Sequence, residues 1–531
     1  MGISARNGLR IAIAVGAVGW FGWSWLHQHR QHAASDAATT TEAAPAVAAT
    51  TLARPLPPPA PRTWRLGSLT LTACELGRPG DGVRAQAWCT DFPVPENRAD
   101  PHGRRIKLHL AVVRSEAAVP DKSLAVLLAG GPGEAATAVW KTEASAFAGV
   151  LKRHNVLLLD QRGTGGSNAL VCKAAQDDNG GSLDEADPDK LRALAKTCLD
   201  EITPHADPRF YTTSIAVQDL EDVRKALGSP VLDLVGVSYG TRMAQQYLRH
   251  HPDAVRSVVL DSPVPNQVLV GQDFAANLDR VLKLDFARCT ADAACRKRFG
   301  DPMQTLRQLR DALRANPHQV SFRDPRSWEL VTRPLDAQVL VGLVHIFAYT
   351  AETAALLPLT IDAAAHGDVA PLMGQERLMS QDMNGDINPG MFLSVVCSED
   401  ADLIQPRPED ADTLLGNHFV EALKAQCSVW PHGARPDDFH APLKSGKPIL
   451  ILDGELDPVT PPAYGKTILA GLSDGRQLLF KGQGHSNLMR GCMPKLLANF
   501  IERPDPKALD ASCLDRLGPV PAFVDFNGAT P

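Results

Sequence analysis

The chain has 531 residues, 44% of them apolar and 21% charged, with a formal net charge of −6. That is an ordinary globular composition, long enough for one large domain with an inserted part or for several domains. The charge is spread without a basic stripe, which argues against nucleic acid as a partner.

Near the N-terminus, Arg6 and Arg10 precede an uncharged stretch of sixteen residues, Ile11 to Leu26. It is shorter than the ~20 residues a spanning helix prefers, and its three tryptophans suit a membrane interface. Residues 1–32 therefore read as a signal peptide or a membrane anchor, with Ala33-Ala-Ser-Asp-Ala37 as a place for cleavage. Either reading predicts export, to a periplasmic or extracellular location, and an uncleaved residue 11–26 segment would tether the protein to a membrane. Residues 33–62 are rich in Ala, Thr and Pro with no periodic apolar face, as in a linker.

Ten cysteines agree with export. They fall into neighbouring pairs, and the expected disulfides are Cys74–Cys89, Cys172–Cys198, Cys289–Cys295, Cys397–Cys427 and Cys492–Cys513. No C-x-x-C occurs, so no metal site is expected.

Three strand-like runs, around Leu69–Leu76, Val83–Cys89 and Ile106–Val113, predict an antiparallel beginning to a sheet. Continuous apolar runs at Leu124–Ala129 and Asn155–Leu159, separated by a stretch of helical length, read as covered parallel strands, which makes the fold class α/β. Gly130-Gly-Pro-Gly133 closes the first of these, where free backbone N–H groups can face a ligand. In an acyl-transfer enzyme such a loop supplies one oxyanion donor and the residue after the nucleophile supplies the other, making Gly131 and Tyr239 the candidates. The Gly131-x-Gly133 spacing with Asp160 downstream also imitates a dinucleotide fingerprint, but Pro132 removes a donor where a phosphate would need one. No cofactor is expected. Asp160-Gln-Arg-Gly-Thr-Gly165 ends the second parallel strand and reads as scaffold bordering the site.

An amphipathic helix at Ser214–Leu227 leads into the apolar run Val231–Val237, which stops at Gly236-Val-Ser238-Tyr-Gly240. That is the G-x-S-x-G form in which a serine sits on a strained turn between strand and helix. Good helix formers follow from Thr241 to His250, and Val255–Asp261 is a further buried strand. From Asn266 to Lys444 helix-length patterns dominate: Phe274–Phe286, Met303–Ala315, Leu335–Ala348, Ala354–Ala365 and Asp410–Ala425. Residues 266–444 are therefore expected to form a helical cap inserted between the two parts of a core, 63–265 and 445–531.

The sheet resumes at Lys447–Leu452 and at Gln477–Phe480. After the first come three carboxylates, Asp453, Glu455 and Asp457; Asp457, deepest in the loop before Pro458, is favoured. After the second comes His485, exposed on a turn by Gly482 and Gly484. The order serine, acid, histidine, with separations of 219 and 28 residues, is that of α/β-hydrolases carrying an inserted cap. Ser238 would attack an acyl carbon while His485 takes its proton and the acid fixes the imidazole tautomer.

These motifs together resemble the proline iminopeptidase and tripeptidyl aminopeptidase group of α/β-hydrolases, and most of all its exported tripeptidyl aminopeptidase branch. The resemblance rests on Gly130-Gly-Pro-Gly133, Asp160-Gln-Arg-Gly-Thr-Gly165, Gly236-Val-Ser-Tyr-Gly-Thr241, Asp457-Pro-Val-Thr-Pro461 and Gly484-His485. It implies Ser238, Asp457 and His485 as triad, peptide substrates with a free N-terminus, and no metal or organic cofactor. Ala129 and Glu134 depart from the proline iminopeptidase pattern around the glycine loop. An exopeptidase also needs a carboxylate for the substrate amine, and Glu399 and Asp400 are the candidates considered. Two other readings fit the sequence: an esterase or amidase on small acyl substrates, and a catalytically dead, tethered binding protein.

Overall fold

The computed structural model describes residues 62–77, 84–173, 187–383 and 387–529. The expected N-terminal signal or anchor, and the linker up to residue 61, lie outside them. The chain divides into two units, and all described residues belong to Pro61–Pro531. Among them no helix is long and apolar enough to cross a membrane.

Among the described residues ten strands form one sheet in the order β1-β2-β3-β4-β6-β5-β7-β8-β11-β12. β1 (Thr63–Leu66), β2 (Leu69–Leu76), β3 (Ala85–Pro95) and β4 (Arg105–Val113) run antiparallel. β5 (Leu124–Leu128), β6 (Asn155–Leu159), β7 (Leu232–Val237), β8 (Val255–Asp261), β11 (Ile449–Gly454) and β12 (Gly475–Phe480) run parallel. The parallel strands read as unbroken apolar runs because each face of the sheet is covered. Val126, Leu234 and Ile451 point into one core, while Leu127, Val235 and Leu452 point into the other.

Helix α1 (Ala136–Glu143) follows β5, while α2 (Pro188–Ile202) and α3 (Thr213–Ala226) precede β7. α4 (Tyr239–His250) leaves β7 and packs its Met243 and Tyr247 on the first core. Between β8 and β11 lie α5 (Phe274–Ala291), α6 (Ala293–Phe299), α7 (Pro302–Ala315), α8 (Ala337–Phe347), α9 (Ala351–Ala354), α10 (Leu357–Ala365), α11 (Ala370–Met383), α12 (Pro389–Glu399) and α13 (His418–Cys427). This segment, read from the sequence as mainly helical, also holds an antiparallel hairpin, β9 (His318–Arg323) with β10 (Leu330–Leu335). α5, α7, α8 and α10 bury Leu282, Leu306, Leu340 and Leu357 in a core of their own. α14 (Pro462–Leu469) and α15 (Met493–Glu502) complete the order.

All ten cysteines are bonded, in the pairs Cys74–Cys89, Cys172–Cys198, Cys289–Cys295, Cys397–Cys427 and Cys492–Cys513. Beyond α15 the chain turns back over the loop after β12, where Gln483 donates to the Gly518 carbonyl at 2.9 Å. It then reaches the helical segment: Phe523 N–H donates to the Ala355 carbonyl at 2.9 Å, and Ala522, Phe523 and Val524 cover Cys289, Cys295 and Phe299.

Candidate active site

β7 ends at Val237, and Ser238 takes φ 54°, ψ −122° before α4 begins at Tyr239. The two glycines flanking this turn are dictated by contact: a Cβ on Gly236 would lie 2.5 Å from the Gly240 carbonyl oxygen, and one on Gly240 2.1 Å from that of Leu128. Among the described residues Ser238 is one of three positive-φ serines, with Ser262 after β8 and Ser486 after β12. Strain of this kind persists only where the surroundings over-determine it. Here they do, because the Ser238 N–H donates to the Asp261 carbonyl at 2.9 Å and the Ser238 carbonyl accepts from Thr241 N–H and Oγ1 at 2.9 and 2.6 Å.

At the end of β11, Asp457 is fully buried. Its Oδ1 accepts the N–H groups of Val459 and Thr460 at 2.9 and 2.7 Å, and its Oδ2 accepts from Thr460 Oγ1 at 2.7 Å and from His485 Nδ1 at 2.8 Å. Burial alone would raise the Asp457 carboxyl, but the charge and hydrogen bond of His485 and the bonds from Thr460 outweigh it and hold the group below the usual carboxylate range. For His485 burial works against the charged form, yet the Asp457 charge and hydrogen bond win and raise the imidazole above its ordinary 6.5. With Nδ1 occupied by Asp457, Nε2 is the nitrogen left to take a proton from an alcohol.

The other two carboxylates of the loop are committed elsewhere. Asp453 accepts from Gln477 Nε2 at 2.8 Å, and burial pushes its carboxyl up to about 8. Glu455 pairs with Arg288 at 2.8 Å and accepts the Gly482 N–H at 2.7 Å, tying the turn after β12 to the helical segment.

Asp261 and Thr460 were not singled out from the sequence. The Asp261 carboxylate accepts the N–H groups of Asn487 and Leu488, and the Ser486 N–H donates to Ser262 Oγ at 2.8 Å. The loop bearing His485 is thus fastened to the end of β8, next to the strand that ends in Ser238. Burial pushes the Asp261 carboxyl up to about 6 despite those donors. A polar residue closing an apolar strand was the visible signal. His485 also donates its N–H to the Tyr349 carbonyl at 2.7 Å and meets the Tyr349 ring edge-on, with centroids 5.3 Å apart.

Gly131, Ser238 and Tyr239 line one cavity of about 470 Å³, partly open to solvent, whose walls include Val268, Val270 and Phe274. The glycine loop lies against the serine: a Cβ on Gly130 would be 3.2 Å from Ser238 Cβ. Glu134 accepts the Gly130 N–H at 3.0 Å, which leaves Gly131 as the freer donor of that turn. The Asp160 loop is scaffold: Asp160 accepts the N–H groups of Thr137 and Gly166 at 2.9 Å, and Arg162 clamps Asp219 with two bonds of 2.6 and 2.8 Å.

Glu399 and Asp400 do not line this cavity. They are 1% and 0% exposed and serve internal partners. Glu399 accepts from Thr213 N–H and Oγ1 at 2.6 and 3.0 Å; Asp400 accepts from Arg242 at 2.8 Å and from the Val270 N–H at 3.0 Å. Arg242 also donates to the Val268 carbonyl. The group braces the cavity wall from behind, through the backbone of Val268 and Val270.

The family described as alpha/beta hydrolase fold matches residues 126–491 of the chain. A tripeptidyl aminopeptidase of Streptomyces coelicolor is 30% identical over 210 residues, which is 36% of this chain and 38% of that protein. Serine protease Hip1 of Mycobacterium tuberculosis is 28% identical over 258 residues, 44% of this chain and 46% of its own length. The match thus spans less than half the length of these curated relatives. Among solved structures, a proline iminopeptidase of Mycobacterium smegmatis is 17% identical, with a TM-score of 0.34, and the alignment covers 79% of this chain and 100% of that one.

Proposed function

The chain belongs to the α/β hydrolase fold family, and we propose that it is an exported serine aminopeptidase that releases residues or short peptides from free N-termini. In this reading Ser238 attacks the scissile carbonyl, His485 Nε2 takes the serine proton and returns it to the leaving amine, and Asp457 holds the imidazole and stabilises its charged form. The N–H groups of Gly131 and Tyr239 stabilise the oxyanion of the tetrahedral intermediate. An acyl-enzyme on Ser238 then falls to water. Residues 63–265 and 445–531 are the catalytic core and 266–444 the cap that bounds the acyl pocket.

The observation that carries the reading is the 2.8 Å bond from His485 Nδ1 to the buried Asp457, formed on the strand-end edge where Ser238 occupies its strained turn. The names of the relatives favour a peptidase. Five disulfides fit an oxidising compartment, and the apolar residues 11–26 fit an export signal or tether. Two measurements test the reading. A fluorophosphonate should label the wild type and not Ser238→Ala. Aminoacyl or peptidyl arylamides with a free amine should be cleaved much faster than their N-acetylated forms; equal rates would make the protein an esterase or amidase instead.

A further inference from the structure

The acyl cavity beside Ser238 is walled by apolar side chains, and Asp273 is the one charged side chain among the described residues that line it. Asp273 stands at the N-cap of α5, where an Asp side chain ordinarily accepts an N–H of the first helical turn. Asp292, Asp301 and Asp336 all do so at the helices that follow them. Asp273 does not. Its carboxylate is turned aside, with Oδ1 accepting from Arg407 at 2.7 Å and Oδ2 from the Tyr464 hydroxyl at 2.6 Å, and its side chain remains 32% exposed. Tyr464 lines the same cavity.

Arg407 does not neutralise the spot. Its Nε donates to Asp410 at 2.7 Å while NH1 serves Asp273, so one guanidinium is divided between two carboxylates, with Glu409 at 4.0 Å as a third. Asp410 is 2% exposed, and its Oδ1 has no hydrogen-bond partner among the described residues. The positive end of α5 offsets about half a charge, which leaves a net negative site. A carboxylate offers about four lone-pair positions and two are taken, so Asp273 can accept a further donor from the cavity.

We propose that Asp273 receives the α-ammonium group of the substrate, with Tyr464 and Arg407 holding the carboxylate in place, so that the preferred substrates carry an apolar acyl portion and a free amine. Val268, Val270 and Phe274 line the same cavity as Asp273, so the acyl portion between amine and scissile bond meets hydrocarbon. This assignment rests on the aminopeptidase reading above and replaces Glu399 and Asp400 in the amine-binding role.

The test uses the full chain with arylamides of apolar residues and short apolar peptides, each free and N-acetylated. Asp273→Asn should lower kcat/KM on the free-amine substrates about 10- to 100-fold, mostly through KM, and leave the acetylated ones unchanged. Asp273→Glu keeps the charge and the Arg407 pair, and so guards against a misfolded Asn variant; it should retain a preference for free amines with a raised KM. If the wild type prefers free amines and that preference survives intact in a folded Asp273→Asn, the assignment falls and the aminopeptidase reading stands. If the wild type shows no such preference, the aminopeptidase reading fails first.

Discussion

The carboxylate of Asp261 accepts the backbone N–H of Asn487, at 2.9 and 2.7 Å to its two oxygens. The carbonyl of the same residue accepts the Ser238 N–H, so a single residue couples the serine turn to the histidine loop. Asp261→Asn keeps the shape but presents an NH₂ group to N–H donors. We expect kcat to fall about 10-fold or more with KM nearly unchanged, and stability to drop by about 1–3 kcal/mol for the unmet amides. Steady-state kinetics and thermal unfolding measure both, and an unaltered kcat would mean that other contacts hold the loop.

Thr460 spans Asp457 and His485, donating from Oγ1 to Asp457 at 2.7 Å with the His485 Nδ1 at 3.2 Å. Thr460→Val removes that donor at nearly constant volume and should lower kcat/KM about 5- to 30-fold, equivalent to about 1–2 kcal/mol. Thr460→Ser should restore most of the rate. Equal activity in all three proteins would exclude a positioning role.

The pH profile follows from His485. Its proton affinity is raised above the ordinary 6.5, and the protonated ring accepts no proton from a serine. Activity should therefore be lost as pH falls through an apparent value above 6.5. Asp457→Asn takes away the charge that raises it, so the limb should move to lower pH while kcat drops by roughly 10⁴, the cost seen when a buried triad acid is replaced in other enzymes.

Asp453 is expected to act on stability rather than on rate. In the folded protein it keeps its proton up to about pH 8, whereas in the unfolded chain it ionises near 3.8. Between those values the native state holds the additional proton, so stability declines as pH rises, by at most about 1.4 kcal/mol per pH unit. Asp453→Asn can still accept from Gln477 and removes this decline. Denaturant unfolding at pH 5 and pH 8 should show the variant gaining on the wild type at the higher pH; a parallel dependence would refute it.

Glu399→Gln should leave KM for free-amine substrates unchanged, because Glu399 is walled off behind Thr213 and Arg242. Arg242→Met should instead destabilise the fold by about 3–5 kcal/mol, leaving two buried carboxylates without their cation. Kinetics on the first variant and unfolding of the second separate substrate binding from bracing.

The parallel strands were legible because burial on both faces leaves an unbroken apolar run, and Ser238, Asp457 and His485 stood out as candidates because each follows such a run. The sequence favoured Asp457 over Asp453 and Glu455 by its place in the loop, while the partner that each of the three meets is visible only in the fold. The burial of Glu399 and Asp400 against Arg242 was not legible, because that cation lies 158 residues from Asp400 in the chain. Pairing at that range leaves no local pattern. The β9–β10 hairpin was missed because its strands are only six residues each and mostly exposed, with Arg333 interrupting the apolar side of β10 and Pro334 beside it. Asp273 escaped notice for a related reason: an Asp before a helix looks like a cap, and only its side-chain direction says otherwise.

The stretch beyond α15 contacts the loop of His485 through Gly518 and covers Cys289, Cys295 and Phe299, so it ties that loop to α5 and α6. If the aminopeptidase reading holds, a tie at this place would limit how far the two can separate when a substrate enters. Deleting the residues after Leu517 should then admit bulkier substrates, and digestion of a folded test protein by the shortened chain, set against the full one, measures the change.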